Sequence, residues 1–144
     1  LIVGMAGWQR DQFSDELRQA LASGHVCLLG YLPDEHVAQL LAGARALIFP
    51  SLYEGFGLPV LEAMASGTPV VVTGSSAMPE VAGPAGNYIQ ADDAQGLRDA
   101  MSLLIDDQAH WQACREAGLQ QARLFSWERC AQATASAYRQ AMGG

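Results

Sequence analysis

Residues 46–73 read ALIFPSLYEGFGLPVLEAMASGTPVVVT, and this stretch decides the fold of the chain. Its first residues, Ala46–Phe49, predict an apolar strand, and a turn with two glycines and a proline separates it from a helix over Leu58–Ser66. Gly67 is a typical helix stop, and Pro69–Thr73 predicts a second buried strand. A strand, a helix and a strand in this order predict a βαβ unit with parallel strands.

The same alternation of strands and helices continues on both sides of this unit. The remaining predicted strands are Leu1–Met5, Val26–Leu29 and Tyr88–Ile89. The remaining predicted helices are Gln12–Ala22, a segment opened by Pro33-Asp34 with Asp34 as its N-cap, Met78–Val81 and three late segments, the last of them capped by Ser126. The predicted fold class is α/β: a Rossmann-like, doubly wound parallel sheet with C-terminal helices, forming one domain over residues 1–144.

The composition argues against several classes of protein. The chain has 144 residues, half of them apolar, which is enough for one domain with a real core. No run approaches the roughly 18–20 apolar residues of a membrane span. The net charge is −7 and the eight basic residues, all arginine, are scattered, so no nucleic-acid partner is expected. Because the chain begins inside an apolar run and without Met, we expect it to be truncated at its N-terminal edge.

Isolated cysteine, histidine and tryptophan residues offer no clear catalytic pattern. The three cysteines match no metal-ligand spacing, and we expect small buried thiols in a reducing compartment. They are Cys27, Cys114 and Cys130. The three histidines lack a Ser, Cys or Asp partner at a catalytic spacing, which predicts surface or capping roles. They are His25, His36 and His110. Trp111 and Trp127 lie on apolar helical stripes and are expected in the core.

The turn between Phe49 and Leu58 carries the residues best suited to bind a ligand. Ligands of open parallel sheets bind beyond the carboxyl ends of the strands, where Gly55 and Gly57 would let a ligand approach the backbone. The following helix N-terminus favours an anion, and the carboxylates of Glu54 and Glu62 accept hydrogen bonds from hydroxyls. This combination suits a phosphorylated sugar. A purely structural interpretation stays open on spacing alone, since the helix dipole by itself favours such glutamates.

Motifs along essentially all 144 residues resemble the large family of retaining nucleotide-sugar glycosyltransferases with the GT-B fold, of the group 1 or family 4 type. The signature of that family is a pair of glutamates separated by seven residues, which Glu54 and Glu62 match. The other matching motifs are Gly30-Tyr31-Leu32 followed by Asp34, Phe49-Pro50-Ser51, Gly55-Phe56-Gly57-Leu58-Pro59, Leu61-Glu62-Ala63-Met64-Ala65, Gly67-Thr68-Pro69-Val70-Val71, Pro79-Glu80-Val81 and Phe125-Ser126-Trp127.

The resemblance implies that the chain is the C-terminal, donor-binding domain and that the acceptor domain of the same protein is absent. Glu54 would contact hydroxyls of the transferred sugar, and Glu62 would bind the ribose. The backbone groups that would line the sugar and the diphosphate are those of Gly55, Phe56, Gly57 and Leu58. Tyr31 and Leu32 would lie against the nucleotide base, and the Gly7-Trp8 loop would border the same pocket.

The resemblance also implies the reaction: transfer of a hexose, with retention at the anomeric carbon, from GDP-mannose or a UDP-sugar to a saccharide or lipid-linked acceptor. We expect Glu54 to orient the donor, and neither a cofactor nor a divalent metal to be required. The basic pair that usually neutralises the diphosphate would lie before residue 1, so the 144 residues alone are expected to be inactive. The parent enzyme would be cytoplasmic, with a peripheral contact at the inner membrane face as a further expectation.

One alternative from another class remains at this point, a non-catalytic α/β module that binds a nucleotide or a protein partner. Such a module would show no preference for nucleotide sugars over other anions. The two hypotheses therefore differ in which ligands the chain recognises, although they share the same predicted fold.

Overall fold

The computed structural model describes residues 1–4 and 13–143, which fall into two compact units, Leu1–Leu40 and Leu41–Gly144. In the first unit, β1 (Ile2–Val3) pairs in parallel with β2 (Leu28–Gly30). Helix α1 (Asp15–Ala22) lies between these strands in sequence, and α2 (Asp34–Gly43) begins here and continues into the second unit. That both units form a single donor-binding domain stays a prediction.

The second unit contains a parallel sheet with the order β3-β4-β5 among its described residues. The strands are β3 (Leu47–Phe49), β4 (Val70–Thr73) and β5 (Gly86–Ile89). The helices are α3 (Leu58–Ala65), α4 (Met78–Ala82), a 3₁₀ turn (Gly83–Ala85), α5 (Ala94–Asp106), α6 (Gln108–Ala122) and α7 (Trp127–Met142). Parallel strands that alternate with helices confirm the Rossmann-like α/β class.

The core of the second unit is built around the central strand β4. All four residues of Val70–Thr73 are buried, as expected of a strand with partners on both edges and helices on its faces. Val71 packs with Ile89 and with Leu104 of α5 in one hydrophobic cluster. Helix α3 buries Val60, Ala63 and Met64, and Gly118 of α6 leaves room for the Met64 side chain. The apolar strand signal thus placed the core correctly.

The end of α3 explains why Gly67 stops that helix. Gly67 has a φ of 76°, in the left-handed region. Its N–H bonds to the carbonyl of Met64 at 3.0 Å, and the N–H of Thr68 bonds to the carbonyl of Ala63 at 2.9 Å. This pair of bonds is the Schellman motif, which satisfies carbonyls that a helix end leaves unpaired. The predicted role of Gly67 is confirmed.

Predicted elements agree with the structure in kind and differ at their ends. Helix α1 begins at Asp15 after a Ser14 cap, and the predicted earlier start at Gln12 lies outside the described residues, as do Met5 and the Gly7-Trp8 loop. The strand predicted for Tyr88–Ile89 begins two residues earlier, at Gly86. Asp34, predicted as an N-cap, is instead the first residue of α2. Such differences reflect weak local signals at element ends.

Two predictions of burial were wrong. Trp127 is 80% exposed, and α7 buries none of its side chains against the described part of the chain. Its amphipathic pattern is real, but no described element covers the apolar face. The cysteines were expected to be buried, whereas Cys27 and Cys130 are exposed and Cys114 is partly buried.

Across residues 1–4 and 13–143, no helix is both long enough and apolar enough to span a membrane.

Arg45, two residues before β3, forms hydrogen bonds with the junction of α5 and α6. Its guanidinium donates to the carbonyls of Leu104 at 2.7 Å and Ile105 at 3.2 Å, and to Gln108 Oε1 at 2.9 Å. The same group lies 4.8 Å from the ring centroid of Trp111, whose indole N–H donates to the Arg45 carbonyl at 2.7 Å. Arg45 therefore satisfies carbonyls in the last turn of α5, where a cation is also favoured by the helix dipole.

We predict that Arg45→Ala lowers the free energy of unfolding by about 1.5–3 kcal/mol, because hydrogen bonds to a partly buried charged group are lost. Urea denaturation followed by circular dichroism measures the change. Arg98→Ala is the matched control, since Arg98 is an exposed arginine on α5 and its removal should cost no more than about 0.5 kcal/mol. Equal destabilisation by the two variants would contradict the role given to Arg45.

Candidate functional site

Two loops meet where β3 and β4 end. Because the strands are parallel and Phe49 pairs with Val72, the loop after β3 (residues 50–57) and the loop after β4 (residues 74–77) leave the same edge of the sheet. The hydroxyl of Thr73 donates to the carbonyl of Ser51, and the hydroxyl of Ser75 donates to the carbonyl of Leu52 at 3.3 Å. The predicted ligand edge is therefore a pair of loops tied to each other.

Glu54 is held in this pair of loops through both its backbone and its side chain. Its N–H donates to the hydroxyl of Ser76 at 3.1 Å, and the same hydroxyl donates to the Glu54 carbonyl. The hydroxyl of Ser51 donates to Oε1 of the Glu54 carboxylate at 2.9 Å. The other carboxylate oxygen has no partner among the described residues, and the side chain is only partly buried. Glu54 is thus fixed in place with one acceptor available.

Ser76 is one of two non-glycine residues with a positive φ in the described part of the chain, at 58°. This left-handed conformation is uncommon for a residue with a side chain and costs about 1–3 kcal/mol. In this conformation the Ser76 hydroxyl makes both of its hydrogen bonds to the Glu54 backbone. The sequence analysis assigned no individual role to Ser76 or its neighbour Ser75, although two adjacent serines just after a buried strand, at the edge where ligands bind, are a signal that could have suggested one.

The N-terminus of α3 differs from that of most other helices in the described residues. Four helices have a side-chain cap, and the capping residues are Ser14, Asp93, Asp107 and Ser126. The N-cap of α3 is Gly57, which offers no side chain, with φ 99° and ψ 48°. Its first turn contains Pro59, which has no N–H. The N–H of Val60 bonds to the Gly57 carbonyl at 3.0 Å, which leaves the backbone N–H groups of Gly57 and Leu58, next to the loop of Glu54, available to an anionic ligand.

Glu62 lies on the exposed face of α3. The buried face is formed by Val60, Ala63 and Met64, while Leu58 and Glu62 share the opposite face one turn apart. Side chains on a helix lean toward its N-terminus, so Glu62 is directed toward the uncapped first turn. Among the described residues its carboxylate has no hydrogen-bond or ion-pair partner. It can accept hydrogen bonds from a ligand seated at that turn.

The side chain of Phe56 also helps to hold the glycine turn in place. Its ring packs edge to face on Phe125, with the centroids 5.9 Å apart and the planes at 82°. Such aromatic pairs contribute about 0.5–1.5 kcal/mol beyond their burial. Phe125 belongs to the break between α6 and α7, so a distant segment helps to set the position of residues 55–57. The Phe125-Ser126-Trp127 motif was noticed in the sequence, but its contact with Phe56 could not be read from it.

The other predicted site residues belong to the first unit. Tyr31 and Leu32 follow β2 directly, and Tyr31 is largely exposed whereas Leu32 is partly buried. Their predicted place against a nucleotide base stays a prediction, because each unit is described by itself. Within residues 1–4 and 13–143, no three side chains of His, Cys, Asp or Glu come together as a metal site. The arrangement of the second unit can therefore offer two carboxylates and an uncapped helix N-terminus to a ligand.

The α/β fold places two glutamates around a glycine turn at the edge where the parallel strands end, and comparison with known proteins identifies the family. Residues 1–121 match the family described as glycosyl transferases group 1. The chain belongs to this family and corresponds to the C-terminal domain of its GT-B members. The family resemblance predicted from the motifs is confirmed.

Several relatives are similar over most of the chain. It is 37% identical to O-antigen chain mannosyltransferase B of Escherichia coli over 96% of its own length and 36% of that protein. It is 40% identical to MMP alpha-(1->4)-mannosyltransferase of Mycolicibacterium hassiacum over 77% of its length and 28% of that protein. The solved structure of sucrose-phosphate synthase from Thermosynechococcus elongatus matches 98% of the chain and 38% of its own, with 29% identity and a TM-score of 0.77. The chain thus spans about a third of the length of these relatives.

We predict that Gly57→Ala destabilises the second unit by at least about 1–3 kcal/mol, since alanine is strained at a φ of 99°. The new methyl group would also collide with Cε of Met78. Thermal unfolding measures the effect. Gly55→Ala is the control, because a Cβ at Gly55 meets nothing within 4 Å and its φ lies outside the left-handed region. If Gly55→Ala were the more damaging change, the assignment of Gly57 as the strained N-cap would be wrong.

Proposed function

We propose that this chain is the donor-binding domain of a retaining glycosyltransferase that moves a hexose from a nucleoside-diphosphate sugar to a saccharide or lipid-linked acceptor. The observation that carries the proposal is the placement of Glu54. Its carboxylate is fixed by Ser51 beside a glycine turn that opens the uncapped N-terminus of α3. Family membership supports transfer of a glycosyl group, and the names of two relatives support mannose as the transferred sugar, for which we propose GDP-mannose as the donor.

Each of the four parts of the donor, the diphosphate, the ribose, the sugar and the base, would be bound by different residues. The diphosphate would lie at the N-terminus of α3, where N–H groups and the helix dipole attract negative charge. Glu62 would accept hydrogen bonds from the ribose hydroxyls, and the free oxygen of Glu54 would accept one from the sugar. Tyr31 and Leu32 would contact the base. Gly55 and Gly57 would let the ligand approach the backbone.

The rate of glycosyl transfer would depend mainly on holding the donor in one orientation. When the bond between the anomeric carbon and the diphosphate breaks, negative charge builds on the leaving group, and the fixed dipole of α3 would stabilise it without reorganising. Glu54 would orient the sugar, since its backbone and side chain are both held and positioning alone supplies a large rate factor. Neither a cofactor nor a metal ion is part of the proposal.

The whole enzyme would need more than these 144 residues. We propose that an N-terminal domain of the same protein supplies the acceptor site and the basic residues that neutralise the diphosphate. On its own the chain should bind the donor weakly and transfer no sugar. The parent enzyme would act in the cytoplasm, with peripheral contact at the inner membrane face when the acceptor is lipid-linked. No nucleic-acid partner is proposed.

We predict that GDP-mannose raises the melting temperature of the chain more than inorganic pyrophosphate does. A ligand at 100 times its Kd stabilises a protein by about 2.7 kcal/mol. A thermal-shift panel of UDP, GDP, ADP and their hexose derivatives measures this preference and ranks the bases. Equal shifts for nucleotide sugars and simple anions would favour the alternative, a module that binds a nucleotide or a partner without catalysis.

We predict that two glutamate variants distinguish binding of the nucleotide from binding of the sugar. Glu62→Ala should weaken GDP and GDP-mannose alike, by roughly 10- to 100-fold, because hydrogen bonds to a charged group contribute about 1.5–3 kcal/mol. Glu54→Gln should leave GDP binding unchanged and remove the extra affinity due to mannose. Isothermal titration calorimetry measures both, and Glu116→Ala on the exposed surface of α6 is the control. The same loss for both ligands in Glu54→Gln would refute its assignment to the sugar.

A further inference from the structure

The loop after β3 takes its position from hydroxyl groups of the neighbouring chain segment. Three of its carbonyls, those of Ser51, Leu52 and Glu54, accept hydrogen bonds from hydroxyl groups. The donors are Thr73, Ser75 and Ser76, in the same order. Within residues 1–4 and 13–143, no backbone N–H donates to any of these three carbonyls. The hydroxyl groups are therefore the direct means by which residues 73–76 hold this loop.

Ser76 differs from the other two because its hydroxyl contacts Glu54 on both sides of the Cα atom. The hydroxyl accepts from the Glu54 N–H at 3.1 Å and donates to the Glu54 carbonyl. A hydroxyl can make both bonds at once, since it has one proton and two lone pairs. Two bonds from one atom restrict both backbone torsions of Glu54, and these torsions set the direction of its Cα–Cβ bond.

The Glu54 carboxylate is consequently held at two levels. Ser76 restricts the backbone that carries the side chain, and the Ser51 hydroxyl donates to Oε1 at 2.9 Å. Hydrogen bonds weaken steeply when the donor, proton and acceptor depart from a line. The remaining oxygen of Glu54 can therefore accept well only from a hydroxyl that approaches from one direction, and a shift of the Glu54 backbone would misdirect it.

The backbone conformation of Ser76 allows the role of its hydroxyl to be separated from a purely structural role. Its φ of 58° is one that glycine adopts readily, serine at a cost and a β-branched residue at a larger cost. Ser76→Gly removes the hydroxyl together with this conformational cost. Ser76→Thr keeps a hydroxyl and raises the cost. The two variants thus change hydrogen bonding and backbone strain in opposite directions.

We propose that Ser76 is a positioning residue that directs Glu54 toward the transferred sugar and thereby sets how much the sugar adds to donor affinity. The inference rests on the proposed function, in which Glu54 binds the hexose and Glu62 binds the ribose. Ser76 acts through Glu54, whereas the N-terminus of α3 and Glu62 bind the nucleotide. Removal of the Ser76 hydroxyl therefore weakens binding of the sugar and leaves binding of the nucleotide intact.

Isothermal titration calorimetry with GDP, GDP-mannose, UDP and UDP-glucose tests this role. The measured quantity is the ratio of the affinity for the nucleotide sugar to the affinity for its free nucleotide. Ser76→Gly should lower this ratio at least about fivefold, toward that of Glu54→Gln, and leave the nucleotide affinity unchanged, because a hydrogen bond to a charged group is misdirected. Ser76→Thr should keep the ratio within about twofold of the wild type, although its strain lowers the melting temperature. Ser102→Ala, at an exposed serine of α5, is the control and should change neither affinity.

The outcomes distinguish this inference from the proposed function. A ratio that is kept in Ser76→Gly, or that falls equally in Ser76→Gly and Ser76→Thr, overturns the positioning role. Loss of nucleotide affinity in Ser76→Gly overturns it as well. In each of these cases, loss of the ratio in Glu54→Gln would leave the proposed sugar contact standing. If the wild-type protein prefers neither nucleotide sugar over its free nucleotide, the proposed sugar contact is wrong and the role of Ser76 is overturned with it.

Discussion

The candidate site depends on hydrogen bonds made by the hydroxyl groups of Thr73, the last residue of β4, and of the two serines in the loop after it. Thr73, Ser75 and Ser76 each bond to the backbone of the loop after β3, and Ser76 binds Glu54 through both its N–H and its carbonyl. The parallel register of β3 and β4 brings the loops to one edge. These hydrogen bonds join the backbone of that loop to hydroxyl groups, so they leave one oxygen of the Glu54 carboxylate and the glycines available for a ligand.

The rest of the second unit supports the position of α3. Its buried face packs on the core and on α6, where Gly118 leaves room for Met64, and its C-terminus is closed by the Schellman turn at Gly67. At its N-terminus, the cap residue Gly57 has no side chain that could bond to the first turn. A helix that is fixed along its length and open at one end presents a stationary dipole, which is the property needed for binding a charged group without reorganisation.

Local patterns predicted the strands, the helices and the glutamate pair, because apolar runs, caps and glycine stops act over a few residues. They could not predict contacts between distant segments. Neither the pairing of Phe56 with Phe125 nor the approach of Asn87 to His110 and Cys114 has a signal within one element. The burial of Trp127 was predicted wrongly for a related reason: an amphipathic pattern states that a face is apolar and does not state what covers it.

The exposed helix α7 has a consequence for the order of the chain's end. None of its 16 residues is buried against the described residues. Isolated helices of about this length are marginal in water, since nucleation is unfavourable and packing normally supplies their stability. The amide hydrogens of α7 should therefore exchange with solvent through local fraying of the helix, long before those of β4, whose opening requires the whole sheet to unfold. The last helix can therefore unfold locally while the sheet stays folded.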